Sequence, residues 1–595
     1  MRSARIAALA LLACAGGRAL AQTPEEFHLR ADTALQSFLL KYWSQGHNYL
    51  RASYPDEGGR TGYWTFAQGF DALLDGVERT SGRRYAGLIE TFYDAQAGRG
   101  WLVGHYDDEC WMALALMRAH DLTGEDRYLQ TAGDLFADIM EGWDTTCCGA
   151  VKGGLWWDKA HTQKATASNA GAVIAGARLF ERTGEQAYLD FAEMAYDFWH
   201  ANMVDPARHH VLDHIDPNGA KVDWKFTYNE GLMIGAGVEL HRQTGEARYL
   251  NEARAIAGFL LSDETVSSTF GRVLSDGSNS SCGGDCHAFK GPAYRYLKLL
   301  HDISGSSTYR GVLKACVNSL WSLARSADHD LFSVSWTGPA MASFSEPQSA
   351  AAAMALNLYP ELEGPYPGTG DPGSQYEAED AAIRGVGLEA VHGDFTGWGY
   401  VAGWNGDGEG VTFDVLALAS GPHDLIFRYS GDAGDATRRL VIDGASAVPE
   451  VRFPGTGDWA TYGTITLRRT LAAWKHRIAL VFDSAGGSSN YLNLDHLRLK
   501  SVATLFVRGD ANQDGVHDLS DAFSILLSLF GGGAPPGARC EAALDVDDNQ
   551  SLDVADAVAL LRYIFQAGNA PPAPFPECGA APAGGLPCGE FAVCE

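Results

Sequence analysis

The sequence is poor in positive charge. Lys and Arg total 45 against 74 Asp and Glu, a formal net charge of −29 over 595 residues. That balance opposes nucleic-acid phosphate and anionic membrane surfaces, so neither is an expected partner. Long apolar runs are missing too: no segment is long enough to span a bilayer. Cysteines are few, 11 in all. None has the Cys/His spacing of a zinc site, so disulfides are their expected state.

What is present begins with an export pattern. Arg2 and Arg5 precede the short apolar stretch Ile6 to Ala13, and Ala19-Leu20-Ala21 supplies the small residues of a cleavage site. This predicts a signal peptide over residues 1–21 and a secreted protein, extracellular, periplasmic or at the cell surface. Leu11-Leu12-Ala13-Cys14 offers the alternative of a lipoprotein cleavage box. Removing the signal takes Cys14 with it. Ten cysteines remain: Cys110, Cys147, Cys148, Cys282, Cys286 and Cys316 in the first half, then Cys540, Cys578, Cys588 and Cys594. Their pairing cannot be deduced from spacing.

Residues 22–360 repeat one pattern. Glycines at 124, 184, 245 and 305 each follow a polar helix end and precede a Tyr-led apolar stripe, as in Gly184 before Tyr188, Leu189, Ala192 and Ala195. A period of roughly sixty residues predicts stacked helical hairpins, with each Gly closing a helix in the left-handed conformation. The helices before the glycines are small and apolar, as in 170–177, and suit an inner ring. Six inner helices are expected near Tyr63, Asp107, Ala165, Tyr228, Cys286 and Glu346. Six outer ones are expected near Glu25, Arg83, Glu125, Glu185, Glu246 and Ser306. Aromatic-rich loops all precede inner helices, which favours a closed all-α (α/α)6 barrel over an open solenoid.

Cleaving a glycosidic bond takes two carboxyl groups, one acid and one nucleophile or base. Tyr106-Asp107-Asp108-Glu109 opens the second inner helix. The helix N-terminus favours a charged carboxylate, while a neighbouring negative charge pushes the other carboxyl towards its protonated form. Acids in a first turn also serve as capping residues, so the stretch alone leaves both roles open.

The run Tyr106 to Ala115 resembles the paired-aspartate segment of glycoside hydrolase family 76. Gly153-Gly154-Leu155-Trp156-Trp157-Asp158, Lys164, Asn169, Thr227-Tyr228-Asn229-Glu230-Gly231 and Phe289-Lys290-Gly291 follow in the family's order. The resemblance covers about residues 25–360. It implies an (α/α)6 barrel that cleaves α-1,6-mannan internally and with retention, without a catalytic cofactor. Asp107 would be the nucleophile and Asp108 the general acid/base. Trp156 and Trp157 are candidate sugar platforms, or else packing at the barrel mouth. Asn169, Tyr228, Asn229 and Lys290 are candidate hydroxyl ligands. Glu230 stands where the family more often has glutamine, placing a third carboxylate near the expected cleft. A transglycosidase on the same barrel, or a non-catalytic glycan-binding or scaffold-associated protein, are the alternatives.

Residues 361–375, rich in Gly and Pro, read as a linker. Over 376–501 the period changes to two, as in His423 to Tyr429, which predicts a β-sandwich. Its Tyr376-Glu377-Ala378-Glu379 and Asn493-Leu494-Asp495-His496 resemble carbohydrate-binding modules of families 6 and 35. That implies a structural Ca2+ held by Glu377, Glu379 and Asp495. Trp398, Tyr400, Trp404 and Trp459 are candidate sugar platforms, or else sandwich core.

Residues 502–570 carry two acidic loops. Asp510, Asn512, Asp514, Asp518 and Asp521 place side-chain oxygens at loop positions one, three, five, nine and twelve. Gly515 takes position six, and the Val516 carbonyl position seven. Asp545, Asp547, Asn549, Asp553 and Asp556 repeat the pattern, with Gln550 in place of the glycine and weaker affinity expected. The pair resembles dockerin repeats, implying Ca2+-dependent folding and a cohesin-like protein partner; a calcium-stabilised tail without a partner is the alternative. Residues 571–595 read as a Pro- and Cys-containing, disulfide-tied tail.

Overall fold

The computed structural model describes residues 22–594 apart from 45–46, 56–57, 83, 277–283, 367–374, 418–419, 433, 503–504, 532–539, 581–585, 587 and 589–590. The predicted signal peptide, Cys282 and most of the predicted linker lie outside the described residues. The chain forms two compact units, with crossings at 38/39, 61/62, 81/82, 101/102 and 368/369.

Among the described residues up to 360, twelve α-helices run in order: α1 (Pro24–Tyr42), α2 (Tyr63–Arg79), α3 (Gly87–Ala97), α4 (Tyr106–Thr123), α5 (Asp126–Glu141), α6 (Thr166–Thr183), α7 (Gln186–Met203), α8 (Thr227–Thr244), α9 (Ala247–Asp263), α10 (Lys290–Ser304), α11 (Ser307–Ser319) and α12 (Glu346–Leu358). In the first unit α2, α4, α6, α8, α10 and α12 each pack on the next, and α12 packs back on α2, closing the ring. Every residue of α12 is buried, as befits a helix with apolar neighbours on all sides. The outer α5 instead buries one stripe: Tyr128, Thr131, Ala132, Leu135, Phe136 and Ile139. Gly124, Gly184, Gly245 and Gly305 close four inner helices with φ of 64–74°, the left-handed cap expected of them. At Gly231 an added Cβ would lie 2.6 Å from the Ala293 Cα, so α8 and α10 touch backbone to backbone.

The fifth inner helix begins at Lys290 rather than near Cys286. Residues Gly284–His287 form a separate 3-10 turn. Pro292 explains the difference: in the first turn its missing N–H costs nothing, whereas a helix begun at Cys286 would put it in the interior.

The second unit holds residues 39–61, 82–101 and all those after 368. Among the described residues its sandwich has eleven strands: β1 (Gln375–Glu377), β2 (Ala382–Arg384), β3 (Gly387–Glu389), β4 (Tyr400–Ala402), β5 (Gly410–Ala417), β6 (Gly421–Gly431), β7 (Ala436–Ile442), β8 (Ala445–Phe453), β9 (Asp458–Leu471), β10 (Trp474–Val481) and β11 (Asn493–Ser501). One antiparallel sheet runs β3-β4-β11-β6-β9, with β1 also on β11; the other runs β8-β7-β10-β5-β2. Burial alternates strictly along β6 from Gly421 to Tyr429, the period-two pattern of a half-buried strand.

Helix α3 belongs to this second unit, although it lies within the stretch expected to be catalytic. A Cβ at Gly87 would fall 2.3 Å from the Ala382 nitrogen. The buried Thr91 hydroxyl accepts from Ile383 N at 2.8 Å and donates to Ile383 O at 3.1 Å, completing the main-chain bonding of β2.

Downstream, α13 (Leu519–Phe530), α14 (Glu541–Leu544) and α15 (Val554–Gln566) share a small core of Phe506, Ala522, Ile525, Ala557, Leu560 and Phe591. Disulfides join Cys540 to Cys588 and Cys578 to Cys594, and Cys147 to Cys148 in the barrel. The expectation of universal pairing is corrected at Cys110 and Cys316, which are free thiols buried in helical packing. Among the four aromatics proposed as sandwich platforms, Trp398, Tyr400 and Trp404 are core, at most 2% exposed. Trp459 is partly exposed.

Candidate active site

The second inner helix α4 presents its acids at the barrel mouth. Three contacts fix its start. Tyr106 N donates to Trp157 O at 2.9 Å. Glu109, fully buried, accepts from Val103 N at 2.8 Å and from Lys159 Nζ at 3.1 Å. Lys159 also reaches Asp138 at 2.7 Å. The third acid of the triplet is thus a clamp. The capping position belongs to His105, whose side chain makes no capping bond.

Asp107 and Asp108 are partly exposed neighbours. Burial is the main reason both hold protons above the usual carboxylate range. Asp107 is pushed up to about 7, while the Trp157 side chain donates to it and main-chain N–H groups pull the other way. Its Oδ1 is buried without a hydrogen-bond partner, which is why burial prevails. Asp108 lacks such donors. Burial, then the charges of Asp107, Asp285 and Glu109, push it up to about 8. Burial raises both members of the adjacent pair, so that it holds a proton up to neutral pH.

Asp213 immediately precedes strand 214–215 of a short antiparallel sheet that also holds 164–165 and 221–222. Tyr228 Oη donates to Asp213 Oδ2 at 2.8 Å and Asn229 Nδ2 to the same oxygen at 3.2 Å. His214 Nδ1 lies 2.7 Å from Asp213 Oδ1. The charge of Asp107 acts on the Tyr228 phenol, so this group borders the aspartate pair.

Several candidates take a different part. Trp157 stands beside the acids as Asp107's donor. Trp156 is buried, stacked on His161 at 4.7 Å with Lys164 Nζ over its ring. The Asn169 amide is fully buried and spends itself on Leu155 N, Leu155 O and Ala165 O, pinning the loop that carries both tryptophans. Lys290 Nζ is buried against Asp276 at 2.7 Å, and Asp276 in turn accepts from Thr227 N and Oγ1. Glu230 is fully buried rather than at the cleft. It accepts from Val211 N at 3.0 Å and faces Glu264. Asn169 and Glu230 are each the fourth residue of an inner helix, one turn past its start, and point into the packing, while Lys290 is drawn inward by the buried Asp276 carboxylate.

Asp213, Asp285 and Trp224 were not singled out in the sequence. Each lies in a loop or short strand before an inner helix, and that position was the available signal.

In the sandwich, Glu377, Asp495 and His496 bring ligand atoms within 4.8 Å of one another. Glu379 Oε1 accepts from Trp398 N and Gly399 N, while its Oε2 is buried with no partner. An oxygen-rich set with an unsatisfied carboxylate fits a hard cation. In the second acidic loop Asp545, Asp547 and Asp556 converge similarly. Gln550, with φ of 66°, makes the turn that Gly515 makes at 79° in the first loop. Asp518 and Asp553 each cap the helix that follows, in capping boxes with Asp521 and Asp556.

Residues 27–368 match the family model of glycosyl hydrolase family 76. The chain belongs to this family. Residues 377–501 match carbohydrate binding module family 6. Among curated relatives, the mannan endo-1,6-alpha-mannosidase of Eremothecium gossypii is 26% identical over 334 residues, covering 49% of this chain and 69% of that protein. Its Saccharomyces cerevisiae counterpart is 32% identical over 155 residues, 23% of this chain and 34% of that protein. A cycloisomaltooligosaccharide glucanotransferase of Niallia circulans is 41% identical over 126 residues, 21% of this chain, and the match spans only 12% of that relative's length. Among solved structures, the Lin0763 protein of Listeria innocua is 28% identical with a TM-score of 0.52, covering 57% of this chain and 97% of that one. The family-76 alpha-1,6-mannanase of Salegentibacter sp. shares the fold, at 24% identity and a TM-score of 0.51, covering 57% and 100%. Residues 27–368 thus form a glycosyl hydrolase family 76 domain, followed by a carbohydrate-binding module, which speaks for the hydrolase reading over the non-catalytic one. Among the described residues no helix is long and apolar enough to cross a membrane.

Proposed function

We propose that this family-76 enzyme is secreted and cleaves α-1,6-mannosidic linkages within mannan chains, with retention. The adjacent, partly exposed Asp107 and Asp108 in the first turn of α4, both raised towards neutral pH by burial, carry this reading. Asp107, beside the Trp157 donor, serves as nucleophile. Its carboxylate bonds to the anomeric carbon as the glycosidic C–O bond breaks, and Asp108 gives its proton to the departing oxygen. Asp108 then takes a proton from water, whose oxygen displaces Asp107 and restores the starting state. The names of the yeast relatives, mannan endo-1,6-alpha-mannosidases, support internal attack on mannan.

Digestion of unbranched α-1,6-mannan, with the anomer of the first product read by NMR, tests the reading. Internal cleavage and an α-product are expected; a β-product would overturn retention. Adding an acceptor sugar separates hydrolysis from transglycosylation.

The converging carboxylates of the sandwich and of the second acidic loop support structural Ca2+, held by Glu377, Glu379 and Asp495 and by the two loop sets. Exposed Leu519, Phe523, Phe530 and Phe565, 59–73% accessible, support docking of a cohesin-like protein to the C-terminal segment. Loss of capture by a cohesin panel after Phe523→Asp would test it.

A further inference from the structure

Two carboxyls that the reaction does not use lie buried together in the barrel. Glu230, the fourth residue of α8, is fully buried. Glu264, which directly follows α9, is 4% exposed. The two carboxyls stand within hydrogen-bonding reach of each other. Glu230 Oε1 accepts from Val211 N at 3.0 Å. Apart from each other, Glu230 Oε2 and both oxygens of Glu264 have no hydrogen-bond partner.

The surroundings do not neutralise two charges there. His210 Nε2 lies 3.9 Å from Glu230 Oε1 and 3.1 Å from Asp223 Oδ1. Burial lowers the proton affinity of this imidazole, which stacks on Phe259 at 4.5 Å and also feels Lys225, Arg208 and Asp205. Lys225 acts on Glu264 without bonding to it. Asp223 adds negative charge beside Glu230, and Asp276 does so beside Glu264, although Lys290 lies on Asp276 at 2.7 Å. Two adjacent carboxylates taken from water repel, and burial disfavours the charge of each. Burial, joined at Glu264 by the charge of Glu230, accordingly holds both carboxyls well above the usual range.

We infer that Glu230 and Glu264 hold a proton between them and form a pH-dependent lock on the segments that position Asp213. While the proton stays, the hydroxyl of one carboxyl donates to an oxygen of the other; once it leaves, the two repel. The pair ties three segments together: the start of α8, the end of α9 and, through Val211 N, the run that continues to Asp213. The start of α8 also carries Tyr228 and Asn229, whose side chains bond Asp213. Losing the proton therefore loosens the Asp213 group before the rest of the ring. Glu264 is a positioning residue, acting through Glu230. Unfolded, both carboxyls ionise near 4.5, whereas the folded pair keeps a proton well above that. Its contribution to stability is thus full below about pH 4.5 and is lost as pH rises into the alkaline range.

Glu264→Gln in the full chain tests this, because the amide fills the same space, donates to Glu230 and never ionises. Its melting temperature should match that of the unaltered protein at pH 4 and exceed it by about 3 °C or more at pH 9. Infrared spectra at pH 7 should show the C=O stretch of a protonated carboxyl that the variant lacks. Hydrogen exchange at pH 9 should be slower in the variant over residues 208–213 and 227–231. A melting difference that ignores pH, a variant that melts lower at pH 9, or an infrared band that survives the substitution overturns the shared proton. Equal exchange over those two segments overturns the lock. None of these measurements needs a substrate, so the outcome stands apart from the mannan reading.

Discussion

Replacing either aspartate of the pair should abolish catalysis and yet stabilise the protein at alkaline pH. Unfolded, each carboxyl ionises near 3.8; folded, Asp107 keeps its proton to about 7 and Asp108 to about 8. Over that interval the folded state binds protons the unfolded state has released, so this contribution is full below pH 4 and is lost as pH rises to 8. At 1.36 kcal/mol per pH unit, moving Asp107 alone from 3.8 to 7 withholds up to ~4 kcal/mol. Partial exposure lets water screen the pair, leaving on the order of 2 kcal/mol. An Asn isostere never ionises, so the penalty disappears. Asp107→Asn and Asp108→Asn should each melt about 2–5 °C above the unaltered enzyme at pH 9, and together with it at pH 4, while mannan hydrolysis drops by on the order of 10⁴-fold. Paired thermal melts across pH 4–9, with activity measured in parallel, check this. A variant that melts lower at pH 9, or an offset that ignores pH, would show that the pair is held as stabilising charge and would sink the argument that burial holds a proton on it.

Trp157→Phe removes Asp107's side-chain donor, so its carboxyl should titrate higher and the acid limb of the kcat/KM profile should shift to higher pH; an unmoved limb would deny the contact a role. At Glu230, Gln keeps an acceptor for Val211 N–H whereas Ala leaves that donor buried and unpaired. Denaturant melts should therefore show Glu230→Ala losing about 2–4 kcal/mol and Glu230→Gln nearly none. Lys290→Met strands the buried Asp276 charge and should cost about 3–5 kcal/mol, read by the same melts. Chelation should speed proteolysis after residue 502 while the barrel survives, and Asp545→Ala should remove most of the protection that added Ca2+ gives.

The helical ring was legible because its punctuation is local. A glycine at a left-handed cap and a stripe of spacing three and four are properties of neighbouring residues, and Gly124, Gly184, Gly245 and Gly305 sit where they were expected. Asp107 and Asp108 were legible because they are adjacent on one helix. Side-chain duty was less so. Asn169 and Lys290 lie in the right motifs, yet Asn169 sits one turn past the start of its helix and points into packing, and the buried Asp276 carboxylate draws Lys290 inward. Asp213 and Trp224 reach the cleft from short irregular segments, where no period announces a facing direction. In the sandwich, Trp398 and Trp404 show the same limit, since loop-like sequence around an aromatic does not tell core from platform.

The placement of α3 bears on how this enzyme can be dissected. The family-76 stretch ends at 368, yet Gly87 and Thr91 have their closest partners at Ala381, Ala382 and Ile383. A fragment cut at the family boundary would strip that helix of the strand it completes and open a bare hydroxyl and a glycine-flattened surface to water. The boundary of the family stretch in sequence is thus not the boundary of the compact unit to which α3 belongs. Any comparison of the enzyme with and without residues after 368 therefore also removes the strand partners of α3, and a drop in activity on truncation would not by itself measure lost carbohydrate targeting.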